Sequence, residues 1–327
     1  LLRPASWLVC RIAQRNRHLI AGRKVARPAH TQARVVVIGN LLVGGTGKTP
    51  LVVATAQALA ERGWRVGLLA RGHGGRDTAH GGHLMPSPMP ADAAQKLGDE
   101  AALLARMTGL PLAVGHDRGA ALDLLLAQHD CTVVLSDDGL QHTGLARDLE
   151  IAVFDERGTG NGRVLPAGPL REPLFNALLV DAIALNGASC APPIAHSRVF
   201  HFSVSAQACV RLDGQERIDL QEAAQRWRGQ RVHALAGIGQ PERFFGDLRR
   251  SGLAPVCWAL ADHASIEQQW AQGLPADVLL MTSKDAVKCA HWPQAMRERC
   301  FEVTARARVE PGFINWLEER LRGSQMD

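Results

Sequence analysis

The chain has 327 residues, enough for two compact domains or one large domain with a satellite. With 46% hydrophobic and 21% charged residues it is not extensively disordered, and with no tyrosine it has no tyrosine acid, base or nucleophile. The formal net charge of +5 is concentrated at the amino end: no Asp or Glu precedes Glu61, while Arg3, Arg11, Arg15, Arg17, Arg23, Lys24, Arg27 and Arg34 crowd the first 34 residues.

Leu1, Leu2, Trp7, Leu8, Val9, Ile12, Leu19 and Ile20 interleave with these cations, so residues 1–30 read as a basic amphipathic membrane-associating segment. Each cation near an anionic surface contributes about 1 kcal/mol. The apolar run Ala5 to Cys10 is far shorter than the roughly 20 residues of a spanning helix. No A-x-A-like site follows it, so a cleaved signal peptide is not expected, and the start at Leu1 rather than Met leads us to expect a few residues upstream. The alternative is an amphipathic helix that covers the domain core. A nucleic-acid arm is disfavoured because stacking aromatics are nearly absent, so no nucleic-acid partner is expected.

Arg34 to Gly39 is a β-branched apolar run with the pattern of a buried parallel strand, and Pro50 to Arg62 reads as a helix ended by Gly63. Between them lies GNLLVGGTGKT, Gly39 to Thr49, where a phosphate-binding loop must sit. Gly44, Gly45 and Gly47, with Thr46, let backbone N–H groups converge on phosphate oxygens; Lys48 reaches the β- and γ-phosphates and the Thr49 hydroxyl can ligate Mg²⁺. Leu42 stands where the common pattern has glycine, which makes the loop resemble the deviant VGGTGKT type.

Arg65 to Ala70 is the next strand, and the glycine-, histidine- and proline-rich residues 71–90 read as a loop. Gly98 to Thr108 and Arg118 to Gln128 are helical patterns flanking a short strand at Pro111 to Val114. TVVLSDDG, Thr132 to Gly139, brings two carboxylates to the end of a buried strand. One of them, Asp137 by preference, can hold Mg²⁺ directly or through water, and the other can orient its neighbours or the acceptor. Strands at Ile151 to Phe154 and Val180 to Leu185 complete a βα series, which implies a mostly parallel sheet covered on both faces.

Past Gly187 the texture changes to period-two alternation, Arg198 to Leu212, so a boundary is expected at 187–197. The expected division is a P-loop domain at 31–187, a smaller α/β domain at 188–308 that contributes to closure, and a C-terminal helix at 309–327 placed to pack back on the first. The seven cysteines form no CxxC pair and read as reduced thiols.

RGTGNGRVLPAGPLREP, Arg157 to Pro173, joins the phosphate loop, RGHGG, GDE, SDDGLQH and ARDLEI in a set that resembles the tetraacyldisaccharide 4'-kinase family. The resemblance continues more weakly through LADH, Leu260 to His263, and TSKDAVK, Thr282 to Lys288. It implies an ATP-dependent, Mg²⁺-requiring enzyme of lipid A biosynthesis that phosphorylates the 4'-hydroxyl of an acylated disaccharide 1-phosphate at the cytoplasmic face of the bacterial inner membrane. It further implies Lys48 and Thr49 on the ATP phosphates and metal, and an acidic cluster of Asp137, Asp138 and Glu172 around the cation, with Gln141 and His142 nearby. Asp99 would be the catalytic carboxylate, partnered by His263, with Asp138 also catalytic. Arg71, Arg118, Arg157, Arg163 and Arg171 are candidates to meet the acceptor phosphate, and a monomer is expected. His73, Thr159, Ser283 and Ala264 depart from the family pattern.

The competing readings are a P-loop switch or metallochaperone using His73, His80 and His83, and a non-enzymatic membrane-surface scaffold. The first lacks an NKxD motif for guanine, and a dinucleotide site at GTGNG lacks a following helix.

Overall fold

Val35 to Asn40 are buried on both faces, because β-branched residues without polar alternation suit a strand with helices above and below. In the computed structural model, which describes residues 2–22, 33–78 and 81–323, this segment is the centre of the sheet. Leu1, Arg23, Lys24, Arg27 and His80 of the sequence reading lie outside the described residues.

The strands, in chain order, are β1 (Arg34–Asn40), β2 (Val66–Ala70), β3 (His83–Leu84), β4 (Leu112–Val114), β5 (Val133–Asp137), β6 (Leu149–Asp155), β7 (Ala182–Asn186), β8 (Val199–Arg211), β9 (Arg217–Asp219), β10 (Val232–Ala236), β11 (Val256–Ala259), β12 (Val278–Thr282) and β13 (Cys300–Val309). They lie in the order β11-β10-β12-β13-β8-β7-β6-β1-β5-β2-β4-β3, with β9 paired to β8. All neighbours are parallel except β3 with β4, and β8 with β13 and β9. β1 sits between β5 and β6, so the chain reverses its direction of sheet growth there and opens a crevice at the strands' carboxyl ends.

The expected boundary at 187–197 is not a break in the sheet: β8 pairs in parallel with β7 of the first lobe and antiparallel with β13 of the second, so two lobes share one sheet. Phe200 and Phe202 of β8 belong to the first lobe's core, whereas Cys209 belongs to the second's. The helix Pro311–Gly323 lies on the first lobe, burying Phe313, Ile314, Trp316 and Leu317 in the same core as Val52 and Ala56.

Five helices frame the site: α1 (Arg3–Gly22), α2 (Lys48–Glu61), α3 (Ala93–Leu97), α4 (Asp99–Thr108) and α5 (Arg118–Gln128). α2 begins after Gly47 in the left-handed region with no side-chain cap, which leaves its first N–H groups to a ligand. α5 is capped within the chain: Asp117 accepts from the N–H groups of Gly119 and Ala120 at 2.9 and 3.1 Å. No described helix is long and apolar enough to cross a membrane.

Candidate active site

The phosphate loop connects β1 to α2 and is braced from both neighbouring strand ends. Asn40, the last residue of β1, donates from Nδ2 to the Gly44 carbonyl and to Thr46 Oγ1, both at 3.2 Å, and accepts from Lys48 Nζ at 3.1 Å. Asn186, the last residue of β7, donates to the Thr46 carbonyl at 3.1 Å. Gly47 has φ 88°, and a methyl group there would stand 2.4 Å from Asn186 Nδ2, so glycine is required twice over. Arg157 Nη2 and Gln240 Nε2, the latter from the second lobe, each donate to the Gly45 carbonyl at 3.1 Å. Gln240 also lines a cavity of about 610 Å³ with Glu156, Pro241, Glu242, Arg243 and Arg250.

The paired aspartates at the end of β5 face this loop. Thr49 Oγ1 donates to Asp137 Oδ2 at 3.1 Å, and Lys48 Nζ lies 2.6 Å from Asp138 Oδ1. Burial pushes the Asp137 carboxyl up to about 6, with Glu100 and Asp138 adding to the effect against Lys48. For Asp138 burial acts in the same sense, but Lys48 and Arg171 outweigh it and hold the carboxyl well below its ordinary range. Arg171 Nη1 contacts both Asp138 oxygens at 2.8 Å. Asp138 has φ 55° and His263 φ 62°; they are the non-glycine residues with positive φ among those described, and both fall at the site.

Asp137 Oδ1 is buried and without a hydrogen-bond partner. That orphaned oxygen beside the Thr49 hydroxyl is a hard-donor pair of the kind Mg²⁺ takes, with the remaining positions left to phosphate and water. No group of three or more His, Cys, Asp or Glu among the described residues converges to hold a metal by itself.

Across the crevice, Asp99 opens α4. His263 Nδ1 lies 3.2 and 3.1 Å from Asp99 Oδ1 and Oδ2, so residues from the two lobes meet here. Lys284 Nζ lies 3.1 Å from the other ring nitrogen, Nε2, and is held by Glu100 at 3.2 Å and Asp262 at 3.1 Å. An ammonium can only donate, so on a neutral ring Nε2 accepts and Nδ1 carries the proton toward Asp99. The hydrogen bond to Asp99 raises the His263 pKa against burial and Lys284. Burial pushes the Asp99 carboxyl up, but the bond from His263 together with Lys284 and Lys288 outweighs it, and the net shift is downward. Asp99 is therefore an ionised acceptor.

Not every sequence expectation lands at this crevice. Glu172 does not reach the aspartate pair, because its carboxylate is consumed beneath α1: Arg17 Nε donates to it at 2.8 Å, Asn176 at 2.8 Å and Gln141 at 2.7 Å. Arg17 also pairs with Glu150 at 2.9 Å, and this buried network fastens α1 to the first lobe. Of the five arginines considered for the acceptor phosphate, Arg118 is buried, donates to the Asp137 carbonyl at 2.9 Å and is brought down to about 10 by burial. Arg157 braces the phosphate loop and Arg171 holds Asp138, which leaves Arg71 and Arg163 exposed. His73 packs edge-on against His263 with ring centroids 4.8 Å apart, and His142 bonds the His116 carbonyl. Asn40, Asn186 and Lys284 had no assigned role in the sequence, and Arg17, expected there among the membrane-facing cations, is instead buried on Glu150 and Glu172; the available signal was an asparagine closing a buried strand on each side of the loop.

A glycine cradle beneath a lysine, with ionised carboxylates on two sides, defines the class of P-loop proteins that transfer phosphoryl groups. Comparison with known proteins narrows the class. The chain belongs to the tetraacyldisaccharide-1-P 4'-kinase family, whose profile matches residues 1–322. It is 44% identical to the tetraacyldisaccharide 4'-kinase of Bordetella petrii, over 98% of this chain and 91% of that one, and 41% identical to that of Azotobacter vinelandii, over 98% and 92%. The crystal structure of LpxK from Aquifex aeolicus in complex with ATP superposes with a TM-score of 0.78 at 25% identity, covering 97% of this chain and 98% of that one.

Proposed function

We propose that this chain transfers the γ-phosphoryl group of ATP to the 4'-hydroxyl of a tetraacyldisaccharide 1-phosphate, giving lipid IVA in lipid A biosynthesis. The observation that carries the reading is the Asp99–His263 contact at 3.1 Å, which supplies a base opposite the phosphate loop of a chain matched to the family from residue 1 to 322. The ATP triphosphate lies along the N–H groups of Gly44, Gly45, Thr46 and Gly47, with Lys48 on the β/γ oxygens. Thr49 and Asp137 would hold Mg²⁺, which would supply charge neutralisation for the transferring phosphoryl group. Asp138 keeps Lys48 and Arg171 in place until the nucleotide competes for them.

His263, with Lys284 at Nε2, points its Nδ1–H at Asp99 and orients the carboxylate. Asp99 accepts the proton of the 4'-hydroxyl as its oxygen bonds to the γ-phosphorus, and the bond to the β–γ bridging oxygen breaks to release ADP. The second lobe excludes water from this space, which limits hydrolysis of ATP. The acyl chains of the acceptor stay in the bilayer, and α1, free of carboxylates, docks a monomer on the cytoplasmic face of the inner membrane.

Label transfer from γ-³²P-ATP to the acylated disaccharide 1-phosphate tests the reading. Asp99→Ala is expected to lower kcat by about 10²–10⁴-fold with nucleotide affinity retained. A variant that turns over like the wild type removes Asp99 from the base role.

A further inference from the structure

Apart from Val256, every large apolar side chain left exposed among the described residues belongs to one of two segments. The first is α1 with the residue before it, showing Leu2, Trp7, Leu8, Ile12 and Leu19. The second is the 3₁₀ turn Leu174–Leu179, where Phe175, Leu178 and Leu179 are 50%, 51% and 61% exposed while Asn176 and Ala177 are buried. A six-residue turn that shows three large apolar groups to solvent is unusual for a monomer surface.

The two segments are joined: Glu172 accepts from Arg17 of α1 and from Asn176 of the turn, both at 2.8 Å. Val9, Cys10, Leu174 and Ala177 also share one apolar cluster. Within α1, Arg11 and Arg15 interleave with the exposed apolar residues, and the Arg11 guanidinium lies 4.8 Å from the Trp7 ring centroid. A cationic, aromatic rim around aliphatic tips matches an anionic bilayer rather than a neutral protein partner.

We propose that Phe175, Leu178 and Leu179 form a second bilayer-inserting element beside α1. The inference rests on the reading of the substrate as a membrane-held acyl-sugar. Its consequence is positional. The turn begins three residues after Arg171, which holds Asp138, so an inserted turn sets the active-site strap at the height of the lipid headgroups. Two elements held together by Glu172 fix both the depth and the tilt of the docked enzyme, whereas α1 alone leaves rotation about its axis free.

The test is co-sedimentation of the full chain with phosphatidylethanolamine–phosphatidylglycerol vesicles, comparing the wild type with Phe175→Asn/Leu178→Asn/Leu179→Asn. Neutral replacements leave the electrostatic attraction of α1 in place. The triple variant is expected to lose about tenfold or more in vesicle partition, with its salt dependence unchanged. Its KM for acceptor embedded in vesicles should rise, and its kcat on acceptor dispersed in detergent should match the wild type, which also reports that it folds. Phe175→Leu should retain partition. Unchanged partition of the triple variant overturns the proposal, as does a wild-type dimer in vesicle-free solution that the triple substitution dissociates, because a second copy would then cover the face. If wild-type protein transfers no phosphoryl group in either presentation, the kinase reading fails, and the vesicle comparison still decides this one.

Discussion

Asp137 and Asp138 are adjacent in sequence, the first buried and the second half-buried, and their environments drive them apart. Asp138 sits between Lys48 at 2.6 Å and Arg171 at 2.8 Å and stays ionised across the ordinary pH range. Asp137 has one oxygen on Thr49 and one with no partner, and burial lifts its carboxyl to about 6. A carboxyl raised in this way ionises as pH climbs through 6, so Mg²⁺ affinity of the nucleotide-free protein should weaken as pH falls from 7 to 5, as titration calorimetry would register. Asp137→Asn should abolish that pH dependence along with the binding; an affinity flat across this range in the wild type would contradict the assignment. Lys284 is a positioning residue. Removing its ammonium in Lys284→Met frees Nε2 of His263 and removes a charge that lowers the ring's pKa. The variant should lose about 10–100-fold in kcat with KM for ATP unchanged, and the acid limb of its pH profile should move to higher pH. Nitrogen-15 spectra of the imidazole should show the Nδ1–H form in the wild type and a mixture in the variant. A loss that falls on KM for ATP alone would give Lys284 a merely structural role.

At the level of elements, α1 is fastened by charge as well as by apolar contact. Arg17 is buried between Glu150 and Glu172, and Arg147 adds a second cation on Glu150 at 2.7 Å. Burial opposes the Arg17 charge, yet the two carboxylates outweigh it and its pKa moves up. Such a network confers little net stability over an apolar equivalent, but removing Arg17 leaves the buried Glu172 carboxylate without its cation while Glu150 keeps Arg147. Arg17→Met should therefore cost about 3–5 kcal/mol in denaturant unfolding, and Arg17→Met with Glu172→Gln should recover part of it. Equal stabilities for wild type and single variant would show that α1 is not held through this residue. The resemblance to the kinase family implies Glu172 in the acidic cluster around the metal. What it could not convey is that the helix some 150 residues earlier supplies a guanidinium to the same carboxylate, a pairing that exists only after folding.

The whole molecule was legible where chemistry is local. The strand–glycine turn–lysine unit and the strand ending in Asp137 and Asp138 each carry their meaning within a dozen residues, and their side chains meet as β1 and β5 pair. The mostly parallel sheet follows from alternating βα patterns. The shared sheet did not, because β13 was not read as a strand. Its first four residues are buried without alternation, while those from Thr304 onward mix half-buried, exposed and buried positions, so Cys300 to Val309 shows no single period. With β13 unseen, β8 looked like the start of a separate domain rather than the seam that joins two lobes. That seam matters to the chemistry, since Gln240 reaches Gly45 and His263 reaches Asp99 from the far lobe. Together the two lobes assemble a kinase whose nucleophile is the hydroxyl of an acylated sugar. Phosphorus-31 spectroscopy of ATP with and without the acylated disaccharide 1-phosphate tests it most directly. A new phosphomonoester is expected at the 4' position, with ADP released only when the acceptor is present; ADP formed at the same rate without acceptor, and no second phosphomonoester with it, would rule this chemistry out.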